Sequence, residues 1–433
     1  MNDSQVCQEF LRDPTRNPRT KRAIKQGGSV YTELMDLCRQ LGMLGGTQMQ
    51  SMPQMQSLPQ MQSLPQMQSL PQMQSLPQMQ SLPQIVPRLG SVQQPSTAAR
   101  GFPPLPAQRV SLPTLGQLVQ EYKQLTPADM LITETSIALP YRRRAGEVKK
   151  SVHWGQRKLL MSEIQFLTLY YKGGPGTVVY AGAAPGTHVK YLKEVFPQLN
   201  FELWDPRPFD RRLANIPGIT THQELFLDPV AQSWADRPNV YFLSDIRTAS
   251  YLEMGEMEVE EAVVRDMEWQ ANWVRIMNPV ASLLKFRLPY PDRWPSREFS
   301  YLDGTVYKQV WSTQTGTETR LVPDLGRPLK NWDIVKYEHQ MFYHNLVMRE
   351  RTKFANPFGG TEPIDPPELI NDYDSMAEAV ILRDYLRKFR GNATQHDVVQ
   401  MSRAITAMLN EGVPRNNWKT LSSIRADPDE TRD

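Results

Sequence analysis

A lysine set inside an apolar strand is the most informative single residue of this 433-residue chain. In Ala281 to Arg287, ASLLKFR, Lys285 stands among Ala, Ser, Leu and Phe, where an ammonium is costly unless it is paired or loses its proton. Carboxylates that could pair with it stand at strand ends, since Asp245 closes VYFLSD and Glu318 precedes TRLVP. Lys158, within GQRKLLMSEI, adds a second amine. A Lys, Asp, Lys, Glu cluster can hold a lysine of depressed pKa beside a sugar hydroxyl. The lysine then draws off the proton while that oxygen attacks a methyl sulfonium. Taken singly, each charge also fits a solvated strand end or an ordinary ion pair.

A second set of residues surrounds a glycine-bearing turn. Gly182 to Gly186, GAAPG, follows an apolar strand, and its glycines let backbone approach a ligand. Asp205 ends the next strand and can accept hydrogen bonds from a ribose diol. Its spacing of 23 residues from Gly182 suits a dinucleotide or S-adenosylmethionine. Only two glycines are present, with Pro185 between them, so the three-glycine dinucleotide fingerprint is not met. A plain strand-to-helix turn remains the competing reading.

The elements that must carry these groups alternate in type. Thr177 to Ala181, Phe201 to Asp205, Val240 to Asp245 and Ala281 to Arg287 read as strands, with Val306 to Trp311 and Glu318 to Val322 closing the sheet. THVKYLKEVF reads as a helix. Gly255 to Met277 reads as a long amphipathic helix with Val259, Val263, Met267, Trp273 and Ile276 on its apolar face, and Ser375 to Phe389 and His396 to Leu409 as two later helices. This order predicts an α/β fold, a mostly parallel twisted sheet flanked by helices, with ligands at the carboxyl ends of its strands.

VVYAGAAPGTHVKYL, LSDIRT, NPVASLLKFRLPYPDRW, TETRL and VKYEHQMFYHN resemble, in order and nearly in spacing, the poxvirus cap-specific mRNA 2′-O-methyltransferases, which are also the small subunits of viral poly(A) polymerases. The resemblance runs over roughly 130 to 410 and implies a Rossmann-like, S-adenosylmethionine-dependent fold. It places a catalytic tetrad on Lys158, Asp245, Lys285 and Glu318, with Lys285 as the base. Donor contacts fall on Gln156, Tyr180, Gly182, Gly186, Asp205, Arg207 and Phe226. The family stacks N7-methylguanine between two rings and reads its N1 and N2 protons with carboxylates. Here Tyr290, at a position where a relative has phenylalanine, and Tyr141 would be the rings, Asp292 and Glu338 the acids, and Arg287 an adjoining contact.

CQEFLRDPTRNPRTKRAIKQGGSVYTELMDLC, residues 7 to 38, resembles the two-cysteine adaptor domain of large DNA viruses, departing from its pattern at Lys21. Cys7 and Cys38 are either bridged or two packed thiols, and RTKRAIK also fits a nuclear signal. Met49 to Gln84 is six copies of a hexapeptide, MQSMPQ once and MQSLPQ five times, with a proline in every copy and no charge. Such a stretch cannot bury enough apolar surface to order itself. The expected domains are therefore an adaptor at 1–45, a linker at 46–109, a catalytic domain at 110–415 and a flexible tail at 416–433.

Lys plus Arg at 49 against Asp plus Glu at 46 leaves a net charge of +3, so a polyanion partner needs a local patch rather than bulk charge. Arg142, Arg143, Arg144, Lys149, Lys150, Arg157 and Arg247 could form one. An apolar run of ~18 residues is lacking, which argues against a membrane span, and the start lacks a signal-peptide pattern. Two cysteines predict no structural metal. The implied partners are capped mRNA, a poly(A) polymerase catalytic subunit, and a viral or host protein met through the adaptor. The implied location is host cytoplasm or virion, with the nucleus as alternative. Competing functions are an RNA- or cap-binding processivity subunit, methylation of a later cap nucleotide as in a similar kinetoplastid family, and small-molecule methylation.

Overall fold

A computed structural model of the chain describes residues 3–13, 16–18, 34, 35, 38, 121–250 and 253–426. The chain divides into two compact units, residues 1–112 and 113–433. In the first, helix α1 (Asp3–Arg12) places Val6, Cys7 and Phe10 on one face, where they pack with Leu34 and Cys38. Cys7 and Cys38 are joined by a disulfide with Cα atoms 5.3 Å apart, so the bridge and not the thiol pair is what the structure holds. Lys21, RTKRAIK and the expected linker with its repeats lie outside the described residues.

The second unit is built on one twisted sheet. Its strands are β1 (Leu131–Ile132), β2 (Gly176–Ala181), β3 (Leu199–Trp204), β4 (Ile219–His222), β5 (Val240–Ser244), β6 (Ala281–Phe286), β8 (Gly304–Tyr307) and β9 (Thr319–Pro323), ordered β1-β8-β9-β6-β5-β2-β3-β4. From β4 to β6 all neighbours are parallel, while β9 pairs antiparallel with β6, β8 with β9 and β1 with β8. A small ribbon of β7 (Glu298–Tyr301) and β10 (Lys330–Asp333) stands apart. Helices flank both faces, which is the Rossmann-like architecture expected.

Burial on both faces explains why the central strands read as unbroken apolar runs. Val178 and Tyr180 of β2 join one core with helix α2 (Gly155–Tyr170), α3 (Val189–Val195), α7 (Tyr373–Arg390) and α8 (Gln395–Leu409). Val179 and Ala181 join the other with α4 (Asp228–Ser233), α5 (Glu256–Met277) and α6 (Ile334–Tyr343). Val259, Val263, Met267 and Trp273 of α5 are buried as expected, and Ile276 is only half-buried while Val274 and Met277 complete the face. After β2 the chain steps outward through β3 to β4, then returns to lay β5 on the other side of β2. The order therefore reverses between β2 and β5, and the loops at their carboxyl ends border the crevice where such sheets bind ligands.

Two expectations need correcting. The strand expected over Val306 to Trp311 pairs only through Tyr307, because Trp311 takes a positive φ of 56° and turns the chain into the core, where its backbone N–H donates to Asp374. The expected flexible tail contains helix α9 (Leu421–Ala426), which buries Leu421 and Ile424 and is tied down by Glu368, whose carboxylate accepts from the Leu421 and Ser422 backbone N–H groups. Residues 427–433 lie outside the described residues.

Candidate active site and cap cleft

Four elements bring the predicted charges together. Lys158 projects from the first turn of α2, Asp245 follows β5, Lys285 lies in β6, and Glu318 precedes β9. Lys285 Nζ is 3.1 Å from Asp245 Oδ1 and 3.8 Å from Glu318 Oε2, and it also donates to the Asp245 carbonyl at 3.2 Å. Lys158 Nζ donates to Glu318 Oε1 at 2.8 Å. All four side chains are largely buried.

The sequence reading missed a fifth member. Arg320 sits directly opposite Lys285 in the β6–β9 register, and two cations so placed repel unless carboxylates lie between them. Its guanidinium donates to Asp245 Oδ1 at 2.6 Å, and Gln309 accepts from its Nε at 2.8 Å. Arg247 donates to Glu318 Oε2 at 3.1 Å. The signal for Arg320 was the one used for Lys285, a charge inside an apolar strand, here TRLVP.

Electrostatics follow from this mixture. Burial alone would raise the Asp245 carboxyl, but the Lys285 ammonium and Arg320 guanidinium bring it down to about 2. Glu318 is likewise held well below the carboxylate range, its desolvation overcome by Lys158, Lys285 and Arg320. Burial lowers the Lys285 pKa, which Asp245 and Glu318 oppose and Arg247 and Arg320 assist. The cluster thus favours two carboxylates and a lysine that gives up its proton more readily than usual.

At the β2 end, Gly182 has φ 79°, and a Cβ there would lie 2.6 Å from the Ile246 nitrogen and 2.8 Å from the Asp245 carbonyl carbon. Gly186 has φ 69°, and a Cβ there would lie 3.1 Å from the Ala183 carbonyl oxygen and from the Leu213 side chain, a tight fit rather than a backbone clash. The loop and Asp245 can be this close only without a side chain at 182.

The structure places the remaining donor-site residues differently from one another. Gln156 Oε1 accepts from Thr187 Oγ1 at 2.5 Å and lies 2.9 Å from His188 Nδ1. Tyr180 is buried and donates to Glu163, which also meets His188 Nε2 at 3.0 Å, so Tyr180 supports the loop from beneath. Asp205 is not an open acceptor. Its oxygens receive the Ala184 backbone N–H at 3.1 Å and, from Arg207, the backbone N–H and Nε at 2.9 Å and Nη2 at 2.8 Å. Burial raises this carboxyl, and the bonds from Arg207 more than reverse that. A diol would have to displace Arg207, whose side chain is 66% exposed. Phe226 is a core residue, its ring packed on Trp204, Phe242 and Trp273, and it is not gathered with the loop.

A cleft of about 300 Å³ is lined by Tyr141, Tyr290, Asp292 and Glu338, the four predicted cap residues other than Arg287. Phe342, Arg144, Thr317 and Asn345 also line it. Tyr141 stands edge-on to Phe342, with ring centroids 5.3 Å apart. Arg287 does not line the cleft; it is buried, pairs with Glu260 at 2.7 Å and backs the Tyr290 ring at 4.6 Å. Burial, with the neighbouring Asp292 charge, raises Glu338 to about 7 against the opposing Arg293. A larger cleft of about 510 Å³ opens along β1, β8 and β10, where Glu134 pairs with Lys330 and Lys336.

The expected basic patch is only partly available. Arg157 is fully buried, its guanidinium paired with Glu378 and donating to Ser402 and Thr406, and Arg247 serves Glu318.

Residues 126–411 match the model of the family described as poly A polymerase regulatory subunit. The chain belongs to that family. A cap-specific mRNA (nucleoside-2′-O-)-methyltransferase of myxoma virus is 31% identical over 223 residues, 47% of this chain and 64% of the myxoma protein. A protein of the same description from fowlpox virus is 30% identical over 215 residues, 46% of this chain and 68% of its own length. The chain thus spans somewhat less than two thirds of the myxoma protein. Residues 6–40 match the 2-cysteine adaptor domain, and a putative serine/threonine-protein kinase of frog virus 3 shares 52% identity over 42 residues, 10% of this chain and 5% of that protein. Among solved structures, human methyltransferase-like protein 13 with SAH covers 43% of this chain and 88% of its own at 12% identity, with a TM-score of 0.24.

Proposed function

We propose that the chain transfers a methyl group from S-adenosylmethionine to the ribose 2′-hydroxyl of the first transcribed nucleotide of m7G-capped mRNA. The carrying observation is the buried cluster of Lys158, Asp245, Lys285 and Glu318 at the carboxyl side of β5 and β6, beside the crevice where the sheet order reverses. A cap- or RNA-binding subunit has no use for a lysine held among two carboxylates and an arginine inside a strand. S-adenosylmethionine supplies an electrophilic methyl on a sulfonium. Gly182 lets the β2 loop run close to the backbone at 245 and 246, and Gln156 and Asp205, which border that loop with polar atoms, would hold the cofactor there.

Lys285, with its lowered pKa, accepts the hydroxyl proton as the oxygen attacks. Asp245 and Lys158 orient it, Glu318 completes the network, and Arg320 keeps both carboxylates ionised. Tyr290, Tyr141, Asp292 and Glu338 would hold the methylated base, whose positive charge favours π faces and carboxylates. The relatives' printed names support this substrate, and the family description supports a poly(A) polymerase catalytic subunit as partner. The N-terminal unit would attach a further viral or host protein in the cytoplasm of an infected cell.

The test is methyl transfer to capped and uncapped RNA by the full chain, beside Lys285→Met and Asp292→Ala. Wild type is expected to methylate capped RNA at the first ribose. Lys285→Met should lose at least ~10²-fold in rate, the scale of general-base catalysis, while binding is kept. Capped RNA that binds normally and is never methylated would leave the binding-subunit reading instead.

A further inference from the structure

The cleft is lined by hydrogen-bond donors as well as by the two acids Asp292 and Glu338. Arg144 lines it with its side chain 6% exposed. Its Nε donates to Glu147 at 2.8 Å and its Nη2 is 3.9 Å from Glu350, yet Nη1 is buried without a hydrogen-bond partner. Thr317, also 6% exposed, lines the same cleft, and its Oγ1 is likewise buried and unpartnered. Arg293, another lining residue, leaves its Nε buried and unpartnered as well. Buried polar atoms are almost always paired, so three orphans in the lining of one cleft point to a ligand group.

All three orphans can donate, so the missing group is rich in acceptors. Asp292 and Glu338 have the opposite polarity, and the cation that acts on Glu338 is Arg293, not Arg144. The carboxylates near Arg144 do not saturate it: Glu147 is shared between Arg142 at 2.6 Å and Arg144, and Glu350 stands 3.9 Å away. A guanidinium N–H and a hydroxyl lining one cleft are the chemistry that grips a phosphate.

We infer that Arg144 and Thr317 form a phosphate subsite of the cleft, holding the 5′-phosphate of the nucleotide whose base lies against Tyr290, Asp292 and Glu338. The inference rests on the cap-binding reading and adds that the cleft recognises a nucleotide, not a bare base.

The experiment compares the affinities of 7-methylguanosine and 7-methylguanosine 5′-diphosphate for the full chain, for Arg144→Gln and Thr317→Val, and for Asp292→Ala. Wild type is expected to prefer the diphosphate by about tenfold or more, as a charge-assisted hydrogen bond allows. Arg144→Gln and Thr317→Val should each shrink that ratio and leave the nucleoside within about twofold of wild type. Asp292→Ala should weaken both ligands alike and keep the ratio. A ratio unchanged in both Arg144→Gln and Thr317→Val overturns the subsite, and the threonine variant decides alone if the arginine variant does not fold. Pyrophosphate binding as tightly as the nucleotide would make this a free-anion site and overturn the link to the base. If wild type binds neither guanosine ligand, the cap-binding reading falls and takes this inference with it.

Discussion

Gln156, Arg157 and Lys158 are consecutive, and each belongs to a different network. About 100° of rotation separates neighbours on a helix, so Gln156 meets Thr187 and His188, Arg157 enters the core to Glu378, and Lys158 reaches Glu318. Reading Arg157 as an RNA contact failed for that reason, since charge type carries no direction. Gly182 yields a sharper expectation. A Cβ there would collide with rigid backbone at 245 and 246, and φ 79° disfavours any side chain, so Gly182→Ala should abolish methyl transfer and lower the melting temperature. Retained activity at the wild-type melting temperature would contradict the close approach. Glu338 yields another. Its carboxyl is raised to about 7, so the ionised form that accepts guanine protons is lost as pH falls through that value. Cap affinity should therefore fall by up to about tenfold for each pH unit below 7, and Glu338→Gln should weaken that dependence; an equal dependence in the variant would assign it elsewhere.

At the scale of elements, α2 is the member that unites core and site. Arg157 and Glu378 tie it to α7, with Ser402 and Thr406 of α8 satisfying the rest of the guanidinium and the Trp311 indole N–H donating to Glu378 at 2.6 Å. Removing one partner of a buried pair strands the other charge, so Glu378→Ala should cost about 3–5 kcal/mol of unfolding free energy in urea. A loss below 1 kcal/mol would mean that water or another side chain takes over the arginine. The strands and α5 were legible because burial on two faces gives apolar runs and an amphipathic helix gives a 3.6-residue stripe. The final helix α9 was not, because six residues with two buried apolar side chains leave too short a pattern.

For the whole molecule, the basic surface offered to RNA is smaller than the sequence suggested. Of the nominated cations, Arg142, Arg143 and Lys150 are exposed and Lys149 is half-buried, with Arg142 also paired to Glu147, while Arg157 and Arg247 are taken by carboxylates within the fold. Four phosphate contacts on a single strand give a slope of log affinity against log salt of about −3, from roughly −0.7 for each contact. A measured slope steeper than about −6 would require a larger basic surface than this one.

The sequence by itself determined the sheet, the glycine turn and the lysine that must find partners, because periodicity and buried charge are local properties of the chain, while the four cleft residues came from the family resemblance. Only the tertiary structure decided which charges face one another. It set Arg320 opposite Lys285, closed Asp205 with Arg207, sent Phe226 and Arg157 into the core, and left Arg144 and Thr317 as unpaired donors in one cleft. Those outcomes depend on strand register and helix rotation, through which residues far apart in sequence come within hydrogen-bonding distance.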